Sequence, residues 1–159
     1  MLNPSDALNE PHLHIRLATL ADIRSVINIE QNALTAAHWS LEQYQAACSE
    51  LGPKRIPLVI EEDSAIQGFL VARAVGQEWE IENLAIAGPV RRRGLGAGLV
   101  RHFLNLVRGQ AAASVFLEVR ESNRAARGLF EQCGFTETGR RPDYYRNPQE
   151  DAVTYAFRV

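Results

Sequence analysis

Lysine is almost absent from this sequence: of its 17 Lys and Arg residues, only Lys54 is a lysine. Because the P-loop motif ends in Gly-Lys-Ser/Thr, a nucleotide site of that kind is excluded. The two cysteines, Cys48 and Cys133, match no metal-ligand or redox spacing and predict reduced thiols in a cytosolic protein. No apolar run has the length of a membrane span or a signal peptide, and the net charge of -2 predicts no general attraction to nucleic acid or to a membrane.

The length of 159 residues and the hydrophobic content of 46% are typical of one domain. Residues 1–11 are polar with two prolines and predict a flexible tail, so we expect the folded domain over 12–159. Hydrophobic periodicity and turn residues predict the order β-α-α-β-β-β-α-β-α-β-β, an α/β (α+β) fold. The second helix is predicted to begin after Ser40 and to end at Gly52 and Pro53.

Residues 91–103, RRRGLGAGLVRHF, place a glycine-rich loop directly before a helical pattern. The unpaired amides at such a helix start favour phosphate, although a flexible turn beside a basic surface is the alternative. A dinucleotide-binding loop requires Gly or Ala five residues after Gly94, where this chain has Leu99. Glu118 has the spacing of the ribose-binding acid in that motif, but the antiparallel strands predicted before the loop exclude a dinucleotide fold.

Two histidines, His12 and His14, share one face of the first predicted strand. That spacing suits a metal ion, but no third ligand accompanies them. We therefore interpret them as ordinary strand residues and expect no metal cofactor.

The loop and its flanks resemble the GNAT superfamily of acyl-CoA-dependent N-acyltransferases, whose pattern Gln/Arg-x-x-Gly-x-Gly/Ala is matched by Arg91, Gly94 and Gly96. The segments IEQNALTAAHWS, LEVRESNRAARGLFEQCGF and RRPDYYRNPQEDAVTYAF are similar to bacterial ribosomal-protein alanine N-acetyltransferases. The resemblance implies a mixed, mostly antiparallel seven-stranded sheet flanked by about four helices. It also implies acetyl-CoA as the donor and the N-terminal alanine of ribosomal small-subunit protein eighteen as the acceptor.

The resemblance further implies which residues bind acetyl-CoA. The loop amides and arginines would hold its pyrophosphate, and the strand before the loop would pair with its pantetheine arm. Asn123 matches a cofactor-contacting asparagine, although a helix N-cap explains the same residue. The complete set of cofactor positions is Leu84, Ala85, Ile86, Arg91, Arg92, Arg93, Gly94, Leu95, Gly96, Ala97, Asn123 and Phe130.

Glu118 matches the general base of the family. It stands in the apolar strand SVFLEVR, where desolvation is expected to raise the pKa of its carboxyl group, and the alternative is a structural ion pair with an arginine such as Arg120. One position departs from the family: Phe130 replaces the tyrosine that is thought to protonate the departing thiolate. Water, Tyr144 or Tyr145 would then supply that proton, or turnover would be slow.

The acceptor side maps by resemblance to residues 37–40 and 141–147. Trp39, Tyr144 and Tyr145 are candidate walls of a groove for a peptide N-terminus, and they are equally well explained as aromatics at the edge of the core. Two other functions remain open: acetylation of a small-molecule amine, since acceptor sites vary within one fold, and weak activity in a CoA-binding module.

Overall fold

A computed structural model gives the fold of the chain. It describes residues 12–33, 37–50, 52–88, 91 and 93–159. The predicted tail, 1–11, and Arg92 lie outside the described residues.

The described elements follow the predicted chain order. The strands are β1 (Leu13–Leu17), β2 (Arg55–Glu62), β3 (Ala65–Val75), β4 (Glu78–Ile86), β5 (Ser114–Arg120), β6 (Thr136–Tyr145) and β7 (Glu150–Arg158). The helices are α1 (Ile23–Gln31), α2 (Leu41–Ala47), α3 (Leu95–Arg108) and α4 (Arg124–Gln132), and a short 3-10 helix, Leu20–Asp22, leads into α1.

Helix α2 begins where predicted and ends early. The hydroxyl of Ser40 accepts a hydrogen bond from the amide of Gln43, whose side chain accepts one from the amide of Ser40, which forms a capping box. The amide of Ser49 donates to the carbonyl of Ala46 at 3.1 Å, so the last turn tightens and the helix stops before the predicted end at Gly52.

The seven strands form one sheet in the order β1-β2-β3-β4-β5-β7-β6. Neighbours are antiparallel except for β4 and β5, which are parallel. A parallel pair requires a crossover connection, and α3 lies in that connection. The mixed, mostly antiparallel sheet with four helices confirms the predicted fold.

Strand β4 contains a β-bulge at Glu82. Val71 of β3 pairs with Asn83, and the next β3 residue, Ala72, pairs with Ile81, so Glu82 is the extra residue. Ile81 packs in the core on the α3 side, whereas Asn83 bonds to a residue of α2 on the other side. The bulge therefore changes the course of β4 where the strand approaches the glycine loop.

The sheet separates two hydrophobic cores. Helices α3 and α4 cover one face, where Leu99, Phe103 and Val107 are fully buried. Helices α1 and α2 cover part of the other face, where Val26 and Tyr44 pack against β2, β3 and β4. A gap in the sheet is therefore lined by different side chains on its two faces.

Candidate active site

The sheet opens between β4 and β5. The two strands pair only from Glu78 opposite Ser114 to Glu80 opposite Phe116, and the β4 bulge comes directly afterwards. Beyond it lies a cavity of about 520 Å³, a volume typical of small-molecule sites. Its lining includes Leu84, Glu118, Asn123, Phe130 and Tyr145.

The end of β4 offers an unpaired strand edge to this cavity. Leu84, Ala85 and Ile86 pair with β3 along one edge, and among the described strands none pairs with their other edge. Leu84 lines the cavity and Ala85 is buried on the α1 side. A strand edge of this kind binds an extended ligand through backbone N–H and C=O groups.

The glycine loop forms the start of α3. Gly94 is the N-cap residue and has φ of 81°, a left-handed conformation that favours glycine. Leu95, Gly96 and Ala97 follow in the first helical turn, where amides have no partner within the helix. A Cβ atom on Gly96 would lie 2.6 Å from Cδ1 of Leu129, so glycine also allows α3 and α4 to approach each other.

The two described arginines of the loop contact protein groups. Arg91 donates from Nε to the carbonyl of Ile86 at 3.1 Å and from its terminal nitrogen to the carbonyl of Asn32 at 3.5 Å. The guanidinium of Arg93 forms an ion pair with Glu62 at 2.7 Å. The clearest anion-binding groups of the described loop are therefore its backbone amides, and a direct role of these arginines with phosphate stays a prediction.

Helix α4 brings Asn123 and Phe130 to the cavity. The Asn123 side chain accepts a hydrogen bond from the amide of Ala126 at 3.1 Å, so the predicted N-cap is present. The ring of Phe130 is buried and meets Phe135 edge to face, with 5.5 Å between the ring centroids. Both residues line the cavity, and their contacts with a cofactor stay predictions.

Glu118 lies on β5, and its side chain is only 11% exposed. Its neighbours Leu117 and Val119 face the α3 side, so Glu118 projects from the opposite face to the one that carries Phe130. Nε of Arg141 lies 2.9 Å from Oε1 of Glu118. A hydrogen bond to Glu118 raises the pKa of the Tyr144 hydroxyl, with a further contribution from burial.

The alternative interpretation of Glu118 was an ion pair with an arginine such as Arg120. The ion pair is present, but the partner is Arg141 and not Arg120. Residues two apart on a strand are separated by about 6.6 Å along it, and Arg120 turns instead to Glu150 at 3.3 Å and to the carbonyl of Pro148 at 3.0 Å. Its guanidinium also lies over the ring of Tyr145, 4.4 Å from the centroid. Arg120 thus fixes the β6–β7 turn beside the cavity.

Of the three aromatic residues predicted for the acceptor side, Tyr144 and Tyr145 are in contact and Trp39 lies elsewhere. Tyr144 is 48% exposed and meets Tyr145 edge to face at 5.0 Å, and burial raises the pKa of Tyr145 to about 12. Trp39 packs against Tyr44 at 5.3 Å, at the edge of the core on the α1 side. Of the segment before α2, Ala37 and His38 line the cavity.

Sequence reasoning missed Glu30, a buried carboxylate with 2% exposure. It accepts hydrogen bonds from the amide of Trp39 at 2.5 Å and from the side chain of Asn83 at 3.4 Å, and it is also bonded to the hydroxyl of Tyr44. Asn83 in turn accepts from the amide of Ala37. These bonds join the segment before α2 to the bulged part of β4. In the sequence, the signal for this role of Glu30 was a charged residue within the apolar stripe of α1.

The chain that carries these features belongs to the Acetyltransferase (GNAT) family, whose family model matches residues 21–135. It is an acyltransferase of that family. It is 31% identical over 147 residues to the ribosomal protein bS18-alanine N-acetyltransferase of Salmonella typhimurium, covering 91% of this chain and 97% of the relative.

Two solved structures support the same assignment. The crystal structure of the ribosomal-protein-S18-alanine N-acetyltransferase from Escherichia coli matches with a TM-score of 0.82 and 27% identity over 93% of this chain and 94% of that chain. Ard1 from Thermoplasma volcanium matches with a TM-score of 0.83 and 30% identity over 92% of this chain and 97% of that chain.

The described residues contain neither a metal-ion cluster nor a membrane-spanning helix. Within them, no group of three or more His, Cys, Asp or Glu side chains is arranged to hold a metal ion. Over the same part of the chain, no helix has the length and apolar character needed to cross a membrane.

Proposed function

We propose that this acetyltransferase transfers the acetyl group of acetyl-CoA to the N-terminal alanine of a ribosomal protein, small-subunit protein eighteen, with Glu118 as general base. The observation that carries the proposal is the position of Glu118, a largely buried carboxylate in the wall of the gap between β4 and β5. The names of the relatives support the choice of acceptor.

The described residues fit a coenzyme A thioester. Acetyl-CoA supplies an acetyl carbonyl carbon that an amine can attack. The amides of Leu95, Gly96 and Ala97 would bind the pyrophosphate at the positive end of α3. The free edge of β4 would pair with the pantetheine arm, and an amide on that edge would polarise the thioester carbonyl.

Glu118 acts on the acceptor. An α-amino group has an ordinary pKa of about 7.7–8.0, so much of it arrives as ammonium and must lose a proton before it attacks. The Glu118 carboxylate accepts that proton directly or through one water. The N–C bond then forms and the C–S bond breaks. The ammonium gives up two protons in total, of which one ends on the coenzyme A thiol and one reaches solvent.

The acceptor approaches from the face that carries Glu118. Tyr144 and Tyr145 lie on one side of this approach, and the segment with Ala37 and His38 lies on the other. Phe130 is buried on the opposite face and carries no dissociable proton. We therefore assign protonation of the leaving thiolate to water. Tyr145 lines the same cavity, but its raised pKa makes its hydroxyl a poorer proton donor.

The direct test is a substrate panel with purified protein and acetyl-CoA. The panel contains peptides with the N-terminal sequence of small-subunit protein eighteen, the same peptides with a blocked N-terminus, peptides with other first residues, polyamines and free amino acids. We expect acetylation of the free N-terminal alanine and none of the blocked peptide, measured by mass spectrometry.

A second measurement follows the proposed acceptor in cells. Mass spectrometry of ribosomal proteins from a strain that lacks this protein is expected to show loss of the acetyl group from the N-terminal alanine. A preference for polyamines or free amino acids in the panel, together with no mass change in the deletion strain, would replace the peptide acceptor by a small amine. Failure to acetylate any amine would contradict the enzymatic proposal itself.

A further inference from the structure

The carboxylate of Glu118 is already paired with a cation that belongs to the protein. Nε of Arg141 lies 2.9 Å from Oε1 of Glu118, and the Arg141 side chain is 60% exposed whereas that of Glu118 is 11% exposed. The guanidinium also lies over the Tyr144 ring at 5.7 Å, and the Tyr144 hydroxyl is bonded to Glu118. Residues of β6 therefore cover the carboxylate from the solvent side.

An acceptor ammonium that contacts Glu118 competes with Arg141 for the carboxylate. A general base must lie within about 3.2 Å of the amine, or be connected to it by one water. A guanidinium and an ammonium held at one carboxylate repel each other because they carry like charges at short distance. Binding of a protonated acceptor therefore requires Arg141 to leave Glu118.

The surroundings of Arg141 allow this movement. Its exposure means that the side chain loses little burial when it turns into solvent. Arg141 itself pairs with Ala152, and the pairing of β6 with β7 becomes irregular directly after it, before Tyr145, so the movement needed is that of the side chain beside the end of a regular ladder. The free energy of the ion pair is then the main cost of the displacement.

We infer that Arg141 contributes to acceptor specificity by occupying the base, so that an acceptor with further contacts to the protein displaces it more readily than one without them. The inference rests on the proposed function, because it requires that the amine meets Glu118. A peptide N-terminus has backbone groups that bind beside Tyr144 and the segment before α2, and these contacts offset the cost. A small amine has only its ammonium group, so Arg141 disfavours it relative to a peptide.

The test compares Arg141→Gln with the wild-type protein on an N-terminal-alanine hexapeptide and on alaninamide. Losing an exposed ion pair changes a binding constant by up to about fivefold, which corresponds to about 1 kcal/mol. We expect kcat/KM for alaninamide to rise by roughly fivefold through a lower KM, with less gain for the hexapeptide and with an unchanged KM for acetyl-CoA. Arg141→Lys, which keeps the charge, is expected to restore most of the wild-type selectivity.

Arg140→Gln is the matched control. It removes the same charge from the neighbouring position of β6, but Arg140 pairs with Glu121 and Glu137 rather than with Glu118. We expect no change in selectivity for this variant. Equal losses on both substrates in Arg141→Gln, or a raised KM for the hexapeptide alone, would overturn the inference, because Arg141 would then assist the acceptor.

The two proposals fail in different ways. A wild-type protein that prefers alaninamide to every peptide contradicts the peptide acceptor, yet a further gain on alaninamide in Arg141→Gln would still support displacement of Arg141. A wild-type preference for the hexapeptide that persists unchanged in Arg141→Gln contradicts the role of Arg141 alone.

Discussion

The donor half and the acceptor half of the candidate site are built from different kinds of chemical group. The donor half, formed by the end of β4 and the start of α3, consists mainly of backbone groups whose positions follow from Gly94 and from the gap in the sheet. The acceptor half consists of side chains from β5 and β6, above all Glu118 and Arg141, together with the segment before α2. Backbone groups are the same whatever the side chains, so the donor half suits one kind of donor. The side chains of the acceptor half can differ, so it can suit different acceptors.

We expect Glu118→Gln to give the largest effect and to change the acceptor half only. It keeps the size of the side chain but removes the base, so we expect kcat/KM for the acceptor to fall by about 100- to 10,000-fold. The dissociation constant of acetyl-CoA, measured by calorimetry, is expected to stay unchanged. The control is Glu121→Gln, which removes a carboxylate that pairs with Arg140. A Glu118→Gln protein with the activity of the wild type would show that Glu118 is not the general base.

Glu30→Gln tests whether the acceptor half depends on a buried anchor. Trp39 and Asn83 both donate to one oxygen of Glu30, and the Tyr44 hydroxyl is also bonded to the carboxylate. Glutamine keeps one acceptor oxygen but loses the charge and the second oxygen, and its amide nitrogen cannot accept any of these bonds. We expect a loss of about 2 kcal/mol in the free energy of unfolding and a higher KM for the acceptor. Urea denaturation and steady-state kinetics measure these two effects.

The control for Glu30 is Glu50→Gln, which changes an exposed glutamate after α2 and should alter neither quantity. If Glu30→Gln raises the KM of acetyl-CoA as much as that of the acceptor, the anchor serves both halves and the comparison between them breaks down.

Asp22→Asn tests the start of α1, which leads into the acceptor half. Two hydrogen bonds from Arg16, at 2.7 and 2.9 Å, hold the pKa of Asp22 below its usual value, with help from the amide of Thr19. A lowered folded-state pKa stabilises the protein above the unfolded pKa of about 3.9, and this stabilisation is lost as the pH falls through the folded value.

We therefore expect Asp22→Asn to lower the free energy of unfolding by roughly 2 kcal/mol at pH 7. The difference from the wild-type protein should shrink below about pH 4, where the carboxyl group in the unfolded chain begins to be protonated, and should vanish once the pH falls below the folded-state pKa. Urea denaturation at pH 7 and at pH 3 checks this. A difference that stays constant with pH would show that the effect is not due to the charge of Asp22.

Gly94→Ala addresses the donor half. A Cβ atom there meets nothing within 4 Å, so the cost is the left-handed backbone alone, about 1 kcal/mol. We expect a slightly lower Tm and a raised KM for acetyl-CoA, with no change in the KM of the acceptor. Gly98→Ala is the control: this residue lies inside α3 in open space, so alanine is expected to stabilise the helix by about 0.5–1 kcal/mol.

The donor half was also the more predictable one from sequence. The order of elements and the loop at Gly94 depend on local patterns of apolar and turn residues, and the structure agrees with them. The ion pair between Glu118 and Arg141 depends on β7 lying between β5 and β6, which no local pattern encodes. The buried position of Glu30 likewise depends on packing against α2 and β4.

The smallest expected effect concerns Phe130, which lies where the donor and acceptor halves meet. Phe130→Tyr places a hydroxyl group at the cavity, in reach of the leaving thiolate if the family's tyrosine acts as an acid. Because a free thiol has a pKa of only about 8.5, thiolate departs readily, and we expect a gain in kcat well below the roughly 100-fold that a required general acid contributes. Phe135→Tyr adds the same hydroxyl to the neighbouring buried ring and controls for the cost of a polar group in this core. A gain of about 100-fold or more in Phe130→Tyr alone would mean that thiolate protonation limits the wild-type protein, and that the donor half also contains chemistry that depends on a side chain.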